Sequence, residues 1–110
     1  MISLPRESYK EDRIIYMIKP EYLAEDALRI LHKLGISPSV SRREGLWDIY
    51  GYGSEGWVGI SIRSSRKILP LLRSFGPMYI SEVKVRAEGS KDFLNSLRYR
   101  LNIETLRGGG

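Results

Sequence analysis

Two stretches of the chain alternate between apolar and polar side chains, which is the pattern of β-strands that bury only one face. Residues 57–63 read WVGISIR, with Val58, Ile60 and Ile62 on one side, and residues 78–86 read MYISEVKVR. Strands of this kind need a covering layer on their apolar side only. The alternation therefore predicts a sheet with helices packed on one face and its other face open.

Apolar residues outside these strands predict a first strand and two helices. Residues 13–19 read RIIYMIK and are rich in the Ile and Tyr that strands favour. After Pro20, apolar residues recur at spacings of four and three, and this period predicts a helix that begins at the proline and ends at Gly35. Residues 91–101 carry a similar period and predict a final helix.

The segment before residues 57–63 predicts a second long strand. Residues 37–52 alternate, with an interruption at Glu44 and Gly45 that indicates either a hairpin turn or, as we favour, a bulge in one bent strand. Residues 53–56 read GSEG, which is a strong turn signal. We therefore expect the bent strand and residues 57–63 to form a hairpin.

A second helix is predicted between this hairpin and the last strand. Ser64 or Ser65 is a suitable cap for a helix that ends at Phe75 and is kinked at Pro70. The resulting order is β-α-β-β-α-β followed by a helix, which predicts an α+β fold: a ferredoxin-like two-layer sandwich with an antiparallel sheet.

The length of 110 residues suits one domain. We expect this domain to span residues 1–107, with a polar leader at residues 1–12 and a flexible glycine tail at residues 108–110.

Period-two alternation assigns the aromatic and basic side chains of the strands to the open face. Bases stack on flat aromatic rings, and Lys and Arg neutralise phosphates, so this face is typical of nucleic-acid binding. Two further cations lie near the start of the predicted second helix, where a phosphate is favoured. The predicted nucleic-acid-binding residues are Arg42, Arg43, Tyr50, Tyr52, Trp57, Arg63, Arg66, Lys67, Lys84 and Arg86.

The composition points in the same direction. A net charge of +5 at pH 7 favours a polyanionic partner over a neutral metabolite. The absence of cysteine excludes disulfides, thiolate metal sites and thiol nucleophiles, and it fits a reducing compartment. The sequence contains neither a secretory signal nor a run of membrane-spanning length. We therefore predict a cytoplasmic protein with no membrane partner.

The motifs of the common catalytic sites are missing from the sequence. His32 has no second histidine and no carboxylate at ligand spacing, so no metal site is predicted. Residues 51–56 spell G-x-G-x-x-G but lead into a strand, whereas the dinucleotide fingerprint opens a helix. The acidic residues are scattered, without neighbours that would raise a pKa. We therefore predict a protein that is not an enzyme and uses no cofactor.

Residues 31–75 resemble part of the LAGLIDADG homing-endonuclease domain. LHKLGI is followed by PSV with basic residues, then by a strand reading ISIRS and by KILPLL, in the order of the family's helix, strand and second helix. The family's catalytic acid ends a helix in a D-A-D/E-G sequence upstream of its first strand. No such sequence lies upstream here, and Ala87-Glu88-Gly89 has a similar ending but follows a strand. The resemblance implies a sheet face suited to DNA or structured RNA without cleavage, with a degenerate or partner-dependent nuclease as the weaker alternative.

The same face suits a second role. Tyr and Trp on an exposed sheet also pack against a second copy or a partner protein, so a structural or regulatory subunit is the alternative function. A homodimer or a larger nucleoprotein complex agrees with either role, and the ligand is open between DNA and RNA and between single and double strands. If the final helix lies across the sheet, it covers the aromatic rings.

Overall fold

A computed structural model describes residues 6–104 of the chain. The elements are β1 (Glu7–Tyr16), α1 (Pro20–Lys33), β2 (Ser39–Arg43), β3 (Leu46–Tyr52), β4 (Gly56–Lys67), a 3-10 helix (Pro70–Phe75), β5 (Met78–Gly89) and α2 (Lys91–Ile103). The predicted first and last helices are confirmed, and α1 begins at Pro20 as expected. The predicted glycine tail lies outside the described residues.

All neighbouring strands pair antiparallel, in the order β1-β5-β4-β3-β2. The chain therefore forms a four-stranded meander from β2 to β5, and β1 joins the free edge of β5. Both helices pack on one side of this sheet. The α+β class and the antiparallel sheet are confirmed, whereas the ferredoxin-like strand order is not.

The predicted second helix is wrong, and its absence accounts for the different order. Ser64 and Ser65, the predicted caps, continue β4 and pair with Ser81 and Ile80 of β5. Pro70 starts a short 3-10 helix that buries none of its residues. Proline has no N–H to donate and disfavours the α conformation of the residue before it, so an α-helix cannot run through this position unbroken.

The preference for one bent strand over residues 37–52 is also wrong, because the chain forms the alternative hairpin. Arg43 pairs with Leu46 across a two-residue turn at Glu44 and Gly45. Gly45 has φ +71°, a conformation that glycine adopts without the strain a side chain would cause. The amide of Ser64 donates to the Gly45 carbonyl at 2.8 Å, which ties the turn to β4.

Strand β1 begins six residues before the predicted start, inside the segment that was expected to be a polar leader. Polar side chains occupy its helix-facing positions: Tyr9 and Arg13 both donate hydrogen bonds to Glu11. Burial, and then the bond to Glu11, raises the pKa of Tyr9 to about 12. Burial alone would raise the pKa of Glu11 too, but the bonds from Arg13 and Tyr9 hold it below its ordinary value.

One hydrophobic core joins the sheet to both helices. From the sheet it takes the residues that were predicted to point inward, among them Ile49, Val58, Ile60, Ile62, Val83 and Val85. From α2 it takes Phe93, Leu94, Leu97 and Leu101. The Ser90 side chain caps α2 by accepting from the Phe93 amide at 3.2 Å. Because α2 shares its core with α1, the two helices cover the same face of the sheet.

Candidate nucleic-acid interface

The other face of the sheet is not covered by either helix. We call this surface the open face. It consists of Ser8, Lys10, Asp12, Ile14 and Tyr16 on β1, Ser39, Ser41 and Arg43 on β2, Leu46, Asp48, Tyr50 and Tyr52 on β3, Trp57, Gly59, Ser61 and Arg63 on β4, and Glu82, Lys84, Arg86 and Glu88 on β5. These residues alternate along their strands with the buried core positions.

Three aromatic rings form a cluster at one end of the open face. The centroids of Tyr50 and Tyr52 are 5.0 Å apart with their planes at 88°, and those of Tyr50 and Trp57 are 5.7 Å apart. Tyr52 is 69% exposed, so its ring is accessible from solvent. The sequence predicted that these rings would share one face, and the strand register confirms it.

The hydroxyl of Tyr50 is perturbed by its neighbour in the cluster. The hydrogen bond with Tyr52, followed by local desolvation, raises the pKa of Tyr50 above its ordinary value. The shift favours the neutral phenol of Tyr50 over its phenolate.

A groove of about 320 Å³ lies beside the aromatic cluster. Gly59 forms part of its floor, and a Cβ built there would lie 3.4 Å from Cδ2 of Tyr50. The ring of Tyr50 therefore leans over the space that a larger residue would fill. Asp48, Ser61, Lys84 and Arg86 also line the groove. The sequence placed Lys84 and Arg86 here but gave Asp48 no role.

The cations next to this groove differ in how they are paired. The Arg86 guanidinium donates to Asp12 and to the Val85 carbonyl, both at 2.8 Å. The bond from Arg86 lowers the pKa of Asp12, so its carboxylate compensates the arginine charge. Lys84 is exposed and makes no ion pair within residues 6–104.

Charge on the open face is mixed. Arg63 lies opposite Glu82 in the strand register, and Glu88 lies 3.5 Å from Arg6. Carboxylates thus alternate with cations over the middle of the sheet. Lys10 adds a cation at the edge, on the part of β1 that was expected to be a leader.

Two predicted binding residues lie on the opposite side of the sheet. The Arg42 guanidinium stacks on Trp47 at 4.5 Å and contacts Glu21 of α1 at 3.3 Å. Arg66 lies 5.4 Å from the ring centroid of Tyr79. Both alternate with open-face positions, so neither shares a face with the aromatic rings. The predicted helix start that would have held Arg66 is instead a continuation of β4.

Positive charge is concentrated where β4 and β5 extend past the end of β3. We call this extension, residues 64–81, the arm. Residues 56–81 contain no acidic side chain, and the arm carries Arg66, Lys67 and Arg73. Arg43 and Arg63 lie where the arm meets the open face. The tip of the arm is apolar: Leu71 is 97% exposed, and Ile68 and Phe75 are also exposed.

A second groove, of about 430 Å³, lies on the helix side between α2 and the end of α1. Two cations, Lys33 and Arg100, line this groove, and Lys33 pairs with Glu104. Over residues 6–104, no three His, Asp or Glu side chains are grouped so that they could hold a metal ion. No helix in the described part of the chain is both long and apolar enough to cross a membrane.

Comparison with known proteins gives no assignment. No protein-family model matches the chain, and no curated protein matches it.

Proposed function

We propose that this chain is a non-catalytic nucleic-acid-binding protein that uses the open face and the arm. The observation that carries the proposal is the position of α2. Because α2 packs on the same side as α1, it leaves the rings of Tyr50, Tyr52 and Trp57 facing away from the core. An aromatic cluster on an uncovered sheet face offers bases a stacking surface.

The cations supply the second half of the interface. Lys84 and Arg86 lie beside the aromatic cluster, and Arg63, Arg43 and Lys67 continue toward the arm. Trp57 and Lys67 lie ten positions apart on β4, which is about 33 Å at the rise of a β-strand. A single nucleic-acid strand whose bases stack on the aromatic cluster can therefore place its phosphates against the cations along this length.

Binding of fluorescently labelled oligonucleotides, followed by anisotropy at increasing salt, tests the proposal. We expect the logarithm of the association constant to fall linearly with the logarithm of the salt concentration. Replacement of Tyr52 by Ala should weaken binding by about 1–3 kcal/mol, which is roughly 5- to 150-fold in Kd.

Tyr99→Ala is the matched control for this substitution. Tyr99 is an exposed tyrosine beside a cation, Arg100, but it lies on α2. Equal losses in the two variants would show that the open face is not the binding surface. The same assay with duplex DNA and duplex RNA separates the ligand classes, and tighter binding to duplex DNA would agree with the LAGLIDADG resemblance.

A second candidate function is a structural or regulatory subunit that uses the open face for self-association. The observation that favours it is the apolar end of β1, where Ile14 and Tyr16 are more than half exposed. Light scattering over a range of protein concentrations tests it. A dimer that dissociates on Ile14→Ser and fails to bind oligonucleotides would support this candidate over nucleic-acid binding.

A further inference from the structure

We infer that the groove over Gly59 receives one guanine base of the bound strand; this rests on the proposed nucleic-acid function. Three features of the groove support the inference: its shape, its distribution of charge and the hydrogen-bonding character of Asp48. Together they select one type of base, whereas the aromatic cluster alone would stack any base.

The shape of the groove suits a flat ring. Gly59 leaves the backbone of β4 bare between Tyr50 on β3 and Arg86 on β5, which are its partners in register. The ring of Tyr50 forms one wall. A base placed on this floor packs against that wall, in the same way as bases pack on aromatic side chains in single-strand-binding proteins.

The charge of the groove is divided between its two sides. Asp48 and Lys84 are the partners of Ser61 on the two adjacent strands. They are therefore separated by two strand spacings, about 9.6 Å between backbones. Within residues 6–104 neither Asp48 nor Lys84 makes an ion pair, and Asp48 makes no side-chain hydrogen bond.

A carboxylate in such a groove selects among the bases. An ionised Asp accepts hydrogen bonds and donates none, and it repels phosphate. Guanine presents two adjacent N–H donors, N1–H and the N2 amino group, on its Watson–Crick edge, and a carboxylate accepts both at once. Adenine, cytosine and uracil each place an acceptor beside their donor on that edge. With guanine against Asp48, the phosphate of the same nucleotide lies toward Lys84 and Arg86.

Short oligonucleotides with one variable position test this inference. We compare uridine hexamers that carry a single guanosine, inosine or adenosine, since inosine lacks only the N2 amino group of guanosine. A bidentate contact to a base is worth enough to discriminate about tenfold. We expect the guanosine hexamer to bind about tenfold more tightly than the adenosine hexamer, with the inosine hexamer between them.

Asp48→Ala and Glu82→Ala form the variant pair. Each removes one carboxylate from the open face, but Glu82 does not line the groove. Glu82→Ala should bind every hexamer more tightly, because it loses one negative charge, and should keep the preference for guanosine. Asp48→Ala should bind the adenosine hexamer more tightly for the same reason, but it should lose the preference for guanosine because the bidentate contact is gone.

The outcomes separate the inference from the proposed function. If all hexamers bind with equal affinity, or if the guanosine preference survives in Asp48→Ala, the guanine site is wrong while the nucleic-acid function stands. If the unsubstituted protein binds neither the hexamers nor longer oligonucleotides, both the guanine site and the nucleic-acid function are wrong.

Discussion

Two glycines of β4 that look alike in the sequence should respond oppositely to alanine. A Cβ at Gly56 would lie 2.3 Å from the carbonyl oxygen of Glu88 and 2.8 Å from both Cα of Gly89 and Cδ2 of Phe93. Two of these atoms belong to the backbone of β5, which is held by its pairing with β4. The strands must separate to admit the methyl group.

The size of the effect at Gly56 follows from these distances. Carbon atoms pack at about 3.5–4.0 Å, so the contacts at Gly56 are too short by about 1 Å. Overpacking of this kind costs about 1–3 kcal/mol and occasionally more, and we expect Gly56→Ala to lie near 3 kcal/mol. For a domain of about 100 residues each kcal/mol lowers Tm by about 4–8 °C, which gives a loss of roughly 12–24 °C.

Gly59→Ala is the control on the same strand. Its Cβ would lie 3.4 Å from Tyr50 and 3.8 Å from Trp57, which are ordinary contacts with side chains. Alanine also restricts the unfolded chain more than glycine does, so stability should be unchanged or higher by about 0.4–1 kcal/mol. Thermal and urea denaturation followed by circular dichroism measure both variants. Equal Tm values, or a larger loss for Gly59→Ala, would refute the close approach of β4 and β5 at Gly56.

Two further substitutions test the charges on β1. Asp12→Asn removes the carboxylate that compensates the charge of Arg86, so nucleic-acid affinity should rise. The slope of affinity against salt concentration should steepen by about one counterion. An unchanged slope in the anisotropy titration would mean that Arg86 does not reach a phosphate. Glu11 has a lowered pKa in the folded state, so its contribution to stability is present above its unfolded pKa and is lost as the pH falls through the folded value. The urea midpoint of the unsubstituted protein should therefore exceed that of Glu11→Gln at pH 6, and the difference should shrink toward pH 3; a constant difference would contradict the shift.

The sequence predicts those strands and helices that have one apolar face and one polar face. Val58, Ile60 and Ile62 alternate cleanly, and the burial of β4 follows from them. The first half of β1 lacks this signal because Tyr9, Glu11 and Arg13 satisfy one another under α2. A strand that buries hydrogen-bonded polar side chains has no apolar period by which to recognise it.

The candidate site was predictable along β3 and β4, where no unexpected turn interrupts the alternation of side chains. Tyr50, Tyr52 and Trp57 flank one short turn, and the alternation alone places them together. Arg42 lies beyond the turn at Glu44 and Gly45, whose form decides which face it occupies. The groove itself depends on five strands side by side, and neighbours across a sheet are not readable from the spacing of residues along the chain.

The sheet order also determines when the open face is completed. The meander from β2 to β5 is built from neighbours in sequence, but Tyr16 of β1 pairs with Ile80, roughly sixty residues further along the chain. Closing a long loop costs entropy before any contact repays it, so distant pairings form late. We expect pulsed hydrogen exchange during refolding to show protection of the meander before β1. The aromatic cluster and the floor of the groove then form before β1 adds Lys10 and Asp12 to the open face. The hydrogen bond from Arg86 to Asp12 therefore forms in the last step.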